Sequence, residues 1–272
     1  MKIYISADME GVAGVVGQEQ LTTQGFEYHQ FREFMTAEVG AAIEAARDAG
    51  AIEFVVSDSH GNGQNLLMDK LPQDIQLVRS WPRPLGMMEG IDDSFDAAFF
   101  IGYHSSAGNI DGIAAHTVSS TAFSSLKING TETSEGGFNA LIAGHFGVSV
   151  VMISGDDAAV REVSNALGPI EGAIVKWHIG HSSARTLMPE AARALISEKV
   201  QAGLRRRQEM KPYRSNGPLT LDLTFKNDKA AELLAYLPNV ERIENHTVRY
   251  VGNIIELSMF VEMACSYRST MS

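Results

Sequence analysis

Two short apolar runs, KIYISA at residues 2–7 and IEFVVSDSHG at 52–61, flank a segment of helical spacing over roughly 31–48 (FREFMTAEVGAAIEAARD) that stops at Gly50. A connection of that length is too long for a hairpin and suits a crossover helix, so the two strands pair in parallel. Parallel strands are covered on both faces, which is why both runs are apolar throughout and do not alternate with polar residues. AAFFIGYHS supplies a third such strand, VSVVMISGDD a fourth with the helix DDAAVREVSNALG behind it, and AIVKWHIG a fifth. The pattern predicts an α/β fold: three layers, a mostly parallel sheet with helices on both faces.

Between the third and fourth strands the pattern changes. TAFSSLKINGTETSEGG carries Asn129-Gly130, a two-residue hairpin signal. The tail GPLTLDLTFKNDKAAELLAYLPNVERIENHTVRYVGNIIELSMFVEM reads strand, helix, strand, helix. Pro212 and the polar SNGP segment mark a boundary, dividing a core over 1–210 from a smaller C-terminal α+β region over 211–272. That region is either a separate lobe or an extension of the main sheet. No internal repeat and no low-complexity tract interrupts the chain.

A formal charge of -11 argues against nucleic acid or an anionic membrane surface as a partner. Arg205-Arg206-Arg207 is the one notable basic cluster, and it closes a helical pattern where cations complement the dipole. A single cysteine, Cys265, excludes a disulfide scaffold and a thiolate zinc site, and its apolar helical context makes it a packed thiol. No apolar run approaches the ~20 residues of a membrane span. Asp8 and Glu10 interrupt the first apolar run at once, unlike a signal peptide, and a cytoplasmic protein is expected.

Asp8 and Glu10 lie two residues apart where a strand runs out, so on extended backbone they point the same way. The second strand ends in His60 and the third in His104. All carboxyl ends of a parallel sheet share one edge, where ligands bind in open α/β folds. Each side chain alone suits a solvated strand end, but together they form a divalent-metal set. Two metals about 3.5–4 Å apart need a bridging carboxylate and ligands on either side. Mixed imidazole and carboxylate suits zinc, with manganese or cobalt as alternatives and magnesium disfavoured. Such a pair is one ligand short. Glu135 in TSEGGFNALIAG is a fifth candidate, or else a first-turn acid favoured by a helix dipole.

ADMEGVAG, SDSHG, GYHS, AAHT, SEGGFNA and SGDD, in this order over more than half of the chain, resemble the ordered motifs of the dipeptide-transport-operon D-aminopeptidases, a family of self-compartmentalising zinc peptidases. The resemblance is much weaker in the tail. It implies that Asp8 bridges two zinc ions per subunit, that Glu10 and His60 complete one site, and that His104 and Glu135 complete the other. It implies further that His116 in GIAAHTVSS is the catalytic group, that short peptides with an N-terminal D-residue are the substrates, and that the chain forms a homodecamer.

Several other residues have ordinary readings. Asp58 either orients His60 from behind or stabilises a turn, and one of Asp156 and Asp157 caps the following helix. His29, His145, His178, His181 and His246 have no partner pattern, and Ser119, Ser120 and Thr121 lack an acyl-enzyme motif. No phosphate-binding glycine loop is present. Two rival functions use the same ligand set. One is another two-metal hydrolase, such as a phosphoesterase, which would be expected to carry an Arg or Lys clamp. The other is a non-enzymatic, metal-stabilised peptide-binding or assembly protein, in which His116 is dispensable.

Overall fold

The first strand of the chain becomes the centre of its main sheet. In the computed structural model, which describes residues 1–268, β1 (Lys2–Ala7) is followed by α1 (Gln18–Leu21) and α2 (Tyr28–Asp48). Next come β2 (Glu53–Asp58), β3 (Gln76–Val78), β4 (Ala97–Tyr103), β5 (Phe123–Ile128), β6 (Thr131–Glu132) and α3 (Glu135–His145). Then follow β7 (Val150–Asp156), α4 (Asp157–Leu167), β8 (Glu171–Gly180), β9 (Ser183–Thr186) and α5 (Pro189–Arg206). The chain continues through β10 (Leu219–Phe225), α6 (Asp228–Leu234), β11 (Val240–Glu244), β12 (Thr247–Gly252) and α7 (Ile254–Arg268).

The seven-stranded sheet has the order β3-β2-β1-β4-β7-β8-β9, parallel except for β9. The chain winds outward from β1 to β2 and β3, then returns to lay β4 on the other side of β1. The strand order therefore reverses at β1, and a crevice opens at the carboxyl ends of β2, β1 and β4. Side chains along β1 alternate: Ile3, Ile5 and Ala7 face α2 and α5, packing with Val39, Ile43, Ile196 and Val200, while Tyr4 joins the core of the other face. That second core also holds residues of α3, α4 and α7. Helices cover both faces of a mostly parallel sheet, as expected.

The remaining strands form a five-stranded antiparallel sheet, β11-β12-β10-β5-β6. Asn129 and Gly130 turn the β5–β6 hairpin with φ of 51° and 79°, the left-handed pair that such a turn needs. Asn129 exchanges two bonds with Thr220, through its backbone N–H and its side-chain oxygen, tying the hairpin to β10. The smaller sheet thus takes strands from both sides of residue 210. In the tail, the stretch expected as one strand is a hairpin of β11 and β12, because the polar Asn245-His246 pair reverses it.

Backbone contact between β1 and β4 sets the geometry of the crevice. Asp8 N–H donates to Ile101 O at 2.8 Å and Gly11 N–H to Gly102 O at 2.7 Å. Gly102 has φ +73°, and a Cβ there would stand 2.2 Å from Asp8 O. Gly102→Ala combines a left-handed backbone with a backbone clash and should cost about 2–4 kcal/mol of stability, read as a lowered denaturation midpoint.

Candidate metal centre and active site

The crevice gathers all six of the predicted site residues. Asp8 and Glu10 follow β1, His60 follows β2, His104 follows β4, and Glu135 opens α3, whose N-cap Ser134 accepts a bond from Gly137 N–H. His116 arrives on the loop between β4 and β5. Asp8, Glu10, His60, His104 and Glu135 are all buried, and His116 is nearly so.

Asp8 stands between two imidazoles. Its Oδ1 lies 3.4 Å from His60 Nδ1 and its Oδ2 lies 3.5 Å from His104 Nε2. Glu10 Oε2 is 2.8 Å from His60 Nδ1, and Glu135 Oε1 is 3.3 Å from His104 Nε2. His116 Nε2 lies 3.9 Å from both Glu10 Oε1 and Glu135 Oε1, and its ring stacks on His104 with centroids 4.0 Å apart.

Each imidazole is pinned from behind by a backbone carbonyl. His60 Nε2–H donates to Leu21 O at 2.8 Å, His104 Nδ1–H to Ser105 O at 2.9 Å, and His116 Nδ1–H to Ala114 O at 2.9 Å. A carbonyl only accepts, so in each neutral ring the lone pair faces the carboxylates. Lone pairs aimed at carboxylates repel unless a proton or a metal ion lies between them. Two of the facing atoms, Asp8 Oδ2 and His104 Nε2, are buried without a hydrogen-bond partner. Ligand atoms of Asp8, Glu10 and His104 lie within 4.8 Å of one another, as do those of His104, His116 and Glu135. The donor set fits divalent metal of the zinc type.

Burial opposes charge at each of these groups. It pushes Asp8 up to about 8, with the Glu10 carboxylate adding to the rise. At His60 burial is outweighed by Glu10 and Asp8, and at His104 by Glu135 and Asp8, so both imidazoles sit well above their ordinary range. The reciprocal attraction overcomes burial at Glu10 and Glu135 and draws both carboxyls down. His116 alone of the three imidazoles moves downward, pushed by burial and by the neighbouring His104. Among the three it holds its proton least tightly.

This geometry meets three comparisons. The family of D-aminopeptidases, peptidase family M55, matches residues 1–262. The chain belongs to that family. A D-aminopeptidase of Bacillus subtilis (strain 168) is 33% identical over 241 residues, covering 89% of this chain and 87% of the relative. A solved structure of the Zn-dependent D-aminopeptidase DppA from Bacillus subtilis, a self-compartmentalizing protease, superposes with a TM-score of 0.91 at 31% identity and covers 97% of each chain. Among the described residues no helix is long and apolar enough to cross a membrane.

In this chain the clustered acids are supported by residues whose roles the sequence did not reveal. Lys176 of β8 is fully buried, and its Nζ donates to the carbonyls of Glu10, Val12 and Val15 at the turn of the ADMEGVAG loop. Burial lowers its pKa to about 8 although Asp156 and Glu38 oppose the fall. Glu38 of α2 accepts Ala13 N–H with one oxygen, while the other is buried without a partner. Glu162 and Asp156 hold the loop that carries His116, accepting from Ser106, Asn109 and Ile113. Asp156 also caps α4, whereas Asp157 accepts His178 N–H. Asp58 serves the turn: it accepts from Asn65 and Leu66, while Leu21 O takes the place behind His60. Cys265 packs half-buried against the core, and Arg206 pairs with Glu171 and Glu209.

Lys176→Met leaves three carbonyls without their cation and frees the loop behind Glu10. It should cost about 3 kcal/mol or more and weaken zinc retention in dialysis against a chelator. Burial pushes Glu38 up to about 7 from the usual 4.5, so between these values the folded chain holds a proton that the unfolded chain releases. Wild type should therefore lose up to about 3 kcal/mol relative to Glu38→Gln as pH rises through that window, read from denaturant midpoints at each pH.

Proposed function

We propose that this D-aminopeptidase-family chain removes the N-terminal residue, a D-amino acid, from short peptides with two zinc ions per subunit. In this reading Asp8, Glu10 and His60 would hold one ion, and Asp8, His104 and Glu135 would hold the other. The observation that carries it is Asp8, with one oxygen toward each of two carbonyl-pinned imidazoles and its Oδ2 otherwise unpartnered. Zinc dependence is taken from the similar Bacillus subtilis enzyme, and manganese or cobalt would suit the same donors.

Bound there, a divalent pair supplies a water that ionises near neutral pH and positive charge for the scissile carbonyl oxygen. The chain's own residues do the rest. His116 reaches the centre with Nε2 while Ala114 O fixes its other nitrogen, which suits it to take a proton from water and pass it to the leaving amine. Its depressed pKa keeps it a base at neutral pH. The acidic edge of the cluster receives the substrate's N-terminal ammonium. Val118 N–H fixes Glu135 by donating to its Oε1 at 2.5 Å.

A phosphoesterase is the weaker reading. Two buried cations near this edge are committed to other partners, Lys176 to backbone carbonyls of the Glu10 loop and Arg83 to Ser80 O, Ser57 Oγ and Asp58 O, so neither offers a phosphate clamp. The description of the Bacillus subtilis enzyme as self-compartmentalizing supports assembly of this chain with copies of itself, a homodecamer with sites facing an inner chamber, and a cytoplasmic home suits such a particle.

The test is hydrolysis of paired D- and L-alanyl chromogenic amides, before and after chelation, with metal content measured on the same samples. The D-amide should be cleaved selectively, chelation should abolish turnover, and about two zinc ions per chain should be found. L-selective turnover would overturn the D-residue assignment. His116→Ala should keep its zinc and lose about 100-fold or more in kcat. Loss of metal from that variant would make His116 a ligand, and unchanged turnover would point to the binding or assembly reading.

A further inference from the structure

A cavity of about 280 Å³ adjoins the metal centre and shares Glu135 with it. Trp81, Leu85, Met87, Phe138 and Val261 give it apolar walls, and Glu262 of α7 adds a carboxyl group. The walls are held in place. Trp81 Nε1–H donates to Gly61 O at 2.9 Å, spanning the loop that follows His60. The Arg83 guanidinium packs over the Trp81 ring at 4.2 Å and donates to Ser80 O, Ser57 Oγ and Asp58 O.

Those bonds matter for Glu262. Its carboxyl group accepts the Arg83 backbone N–H and feels the Arg83 charge, while the guanidinium spends its own donors on Ser80 O, Ser57 Oγ and Asp58 O. Burial pushes the carboxyl group up to about 7 against the pull of Arg83, with Glu89 opposing that pull. Gly86, at φ +55°, leaves it room: a Cβ there would stand 3.3 Å from Glu262 Oε1. A half-buried acid beside these apolar walls carries a desolvation cost that a cationic ligand group would offset.

Position says which part of a substrate would enter. On the aminopeptidase reading the ammonium and the scissile carbonyl are held at the cluster, and the cavity that meets it at Glu135 is the space open to the side chain on the α-carbon between them. The volume far exceeds what a methyl group fills. A chain of methylenes suits the apolar walls, and a positive tip suits the acid.

We propose that this cavity receives the side chain of the substrate's N-terminal residue, and that Glu262 selects long side chains with a cationic tip, as in D-lysine, D-ornithine or D-arginine. The inference rests on the aminopeptidase reading and adds the side-chain class to it.

The test compares D-lysyl, D-norleucyl and D-alanyl p-nitroanilides on zinc-loaded wild type and Glu262→Gln, with zinc content and circular dichroism recorded for both. Norleucine keeps the stem and removes the charge. Wild type should favour the D-lysyl over the D-norleucyl amide by about tenfold or more in kcat/KM, and Glu262→Gln should bring that ratio to about one. An unchanged ratio in the variant, or a wild-type preference for norleucine, overturns the inference. If no D-amide is cleaved at all, the aminopeptidase reading falls, and the cavity is judged by calorimetry with D-lysinamide and D-norleucinamide. Tighter binding of D-lysinamide that Glu262→Gln removes then supports the inference, and equal binding overturns it.

Discussion

Three carboxylates and three imidazoles meet in a space nearly closed to water, and their mutual charge is the condition that the rest of the structure serves. Ionised carboxyl groups this close are unstable in a dry site unless positive charge lies among them. The carbonyls behind His60, His104 and His116 decide where that charge must come from. They turn three lone pairs inward, so the rings supply positive charge only by taking up protons. The neighbouring carboxylates pull the pKa of His60 and His104 upward, so protons would serve that role, and divalent metal of the zinc type would fill it with fewer constraints. Membership of the M55 family and the likeness to a Zn-dependent enzyme agree with this electrostatic argument.

Position follows from backbone more than from side-chain packing. Because β1 is central and the strand order reverses there, its end lies between the ends of β2 and β4. Gly11 and Gly102 let the chain after β1 approach β4 within backbone bonding distance. Lys176 then gathers three carbonyls of the loop from the sheet side, and Glu38 holds the same loop from the helix side. Glu10 is therefore carried on a loop held from both faces by buried side chains, a lysine and a carboxyl group. That arrangement costs desolvation, and a fixed position for Glu10 is its return.

Much of this was legible before any coordinates. The apolar runs of β1, β2, β4, β7 and β8 announce buried parallel strands, and the strand ends bring Asp8, Glu10, His60 and His104 to one edge by topology alone. Glu135 needed the resemblance or the structure, since a first-turn glutamate has a local reason to exist. The short edge strands β3 and β9 escaped notice because QLV and SART carry little apolar pattern. Lys176 was invisible for a related reason: one lysine in AIVKWHIG reads as the solvent side of a strand, and its carbonyl partners lie over 160 residues away. The hairpin at Asn129-Gly130 was legible, but not its neighbour, because pairing between distant segments leaves no local trace.

That distant pairing has a consequence for the birth of the chain. Asn129 and Thr220 stand 91 residues apart, and three strands between them, β7, β8 and β9, belong to the other sheet. At ribosomal rates that interval lasts roughly 5–20 s. Throughout it, Phe123, Leu126 and Ile128 of β5 lack the β10 strand that will bury them, on an edge open to any passing strand. The clustered acids and imidazoles, all within the first 135 residues, leave the ribosome before that edge is covered. The nascent chain therefore carries an adhesive margin while its clustered site residues are already made, and the stretch that begins with β10 acts as the cap that makes the earlier chain safe to release.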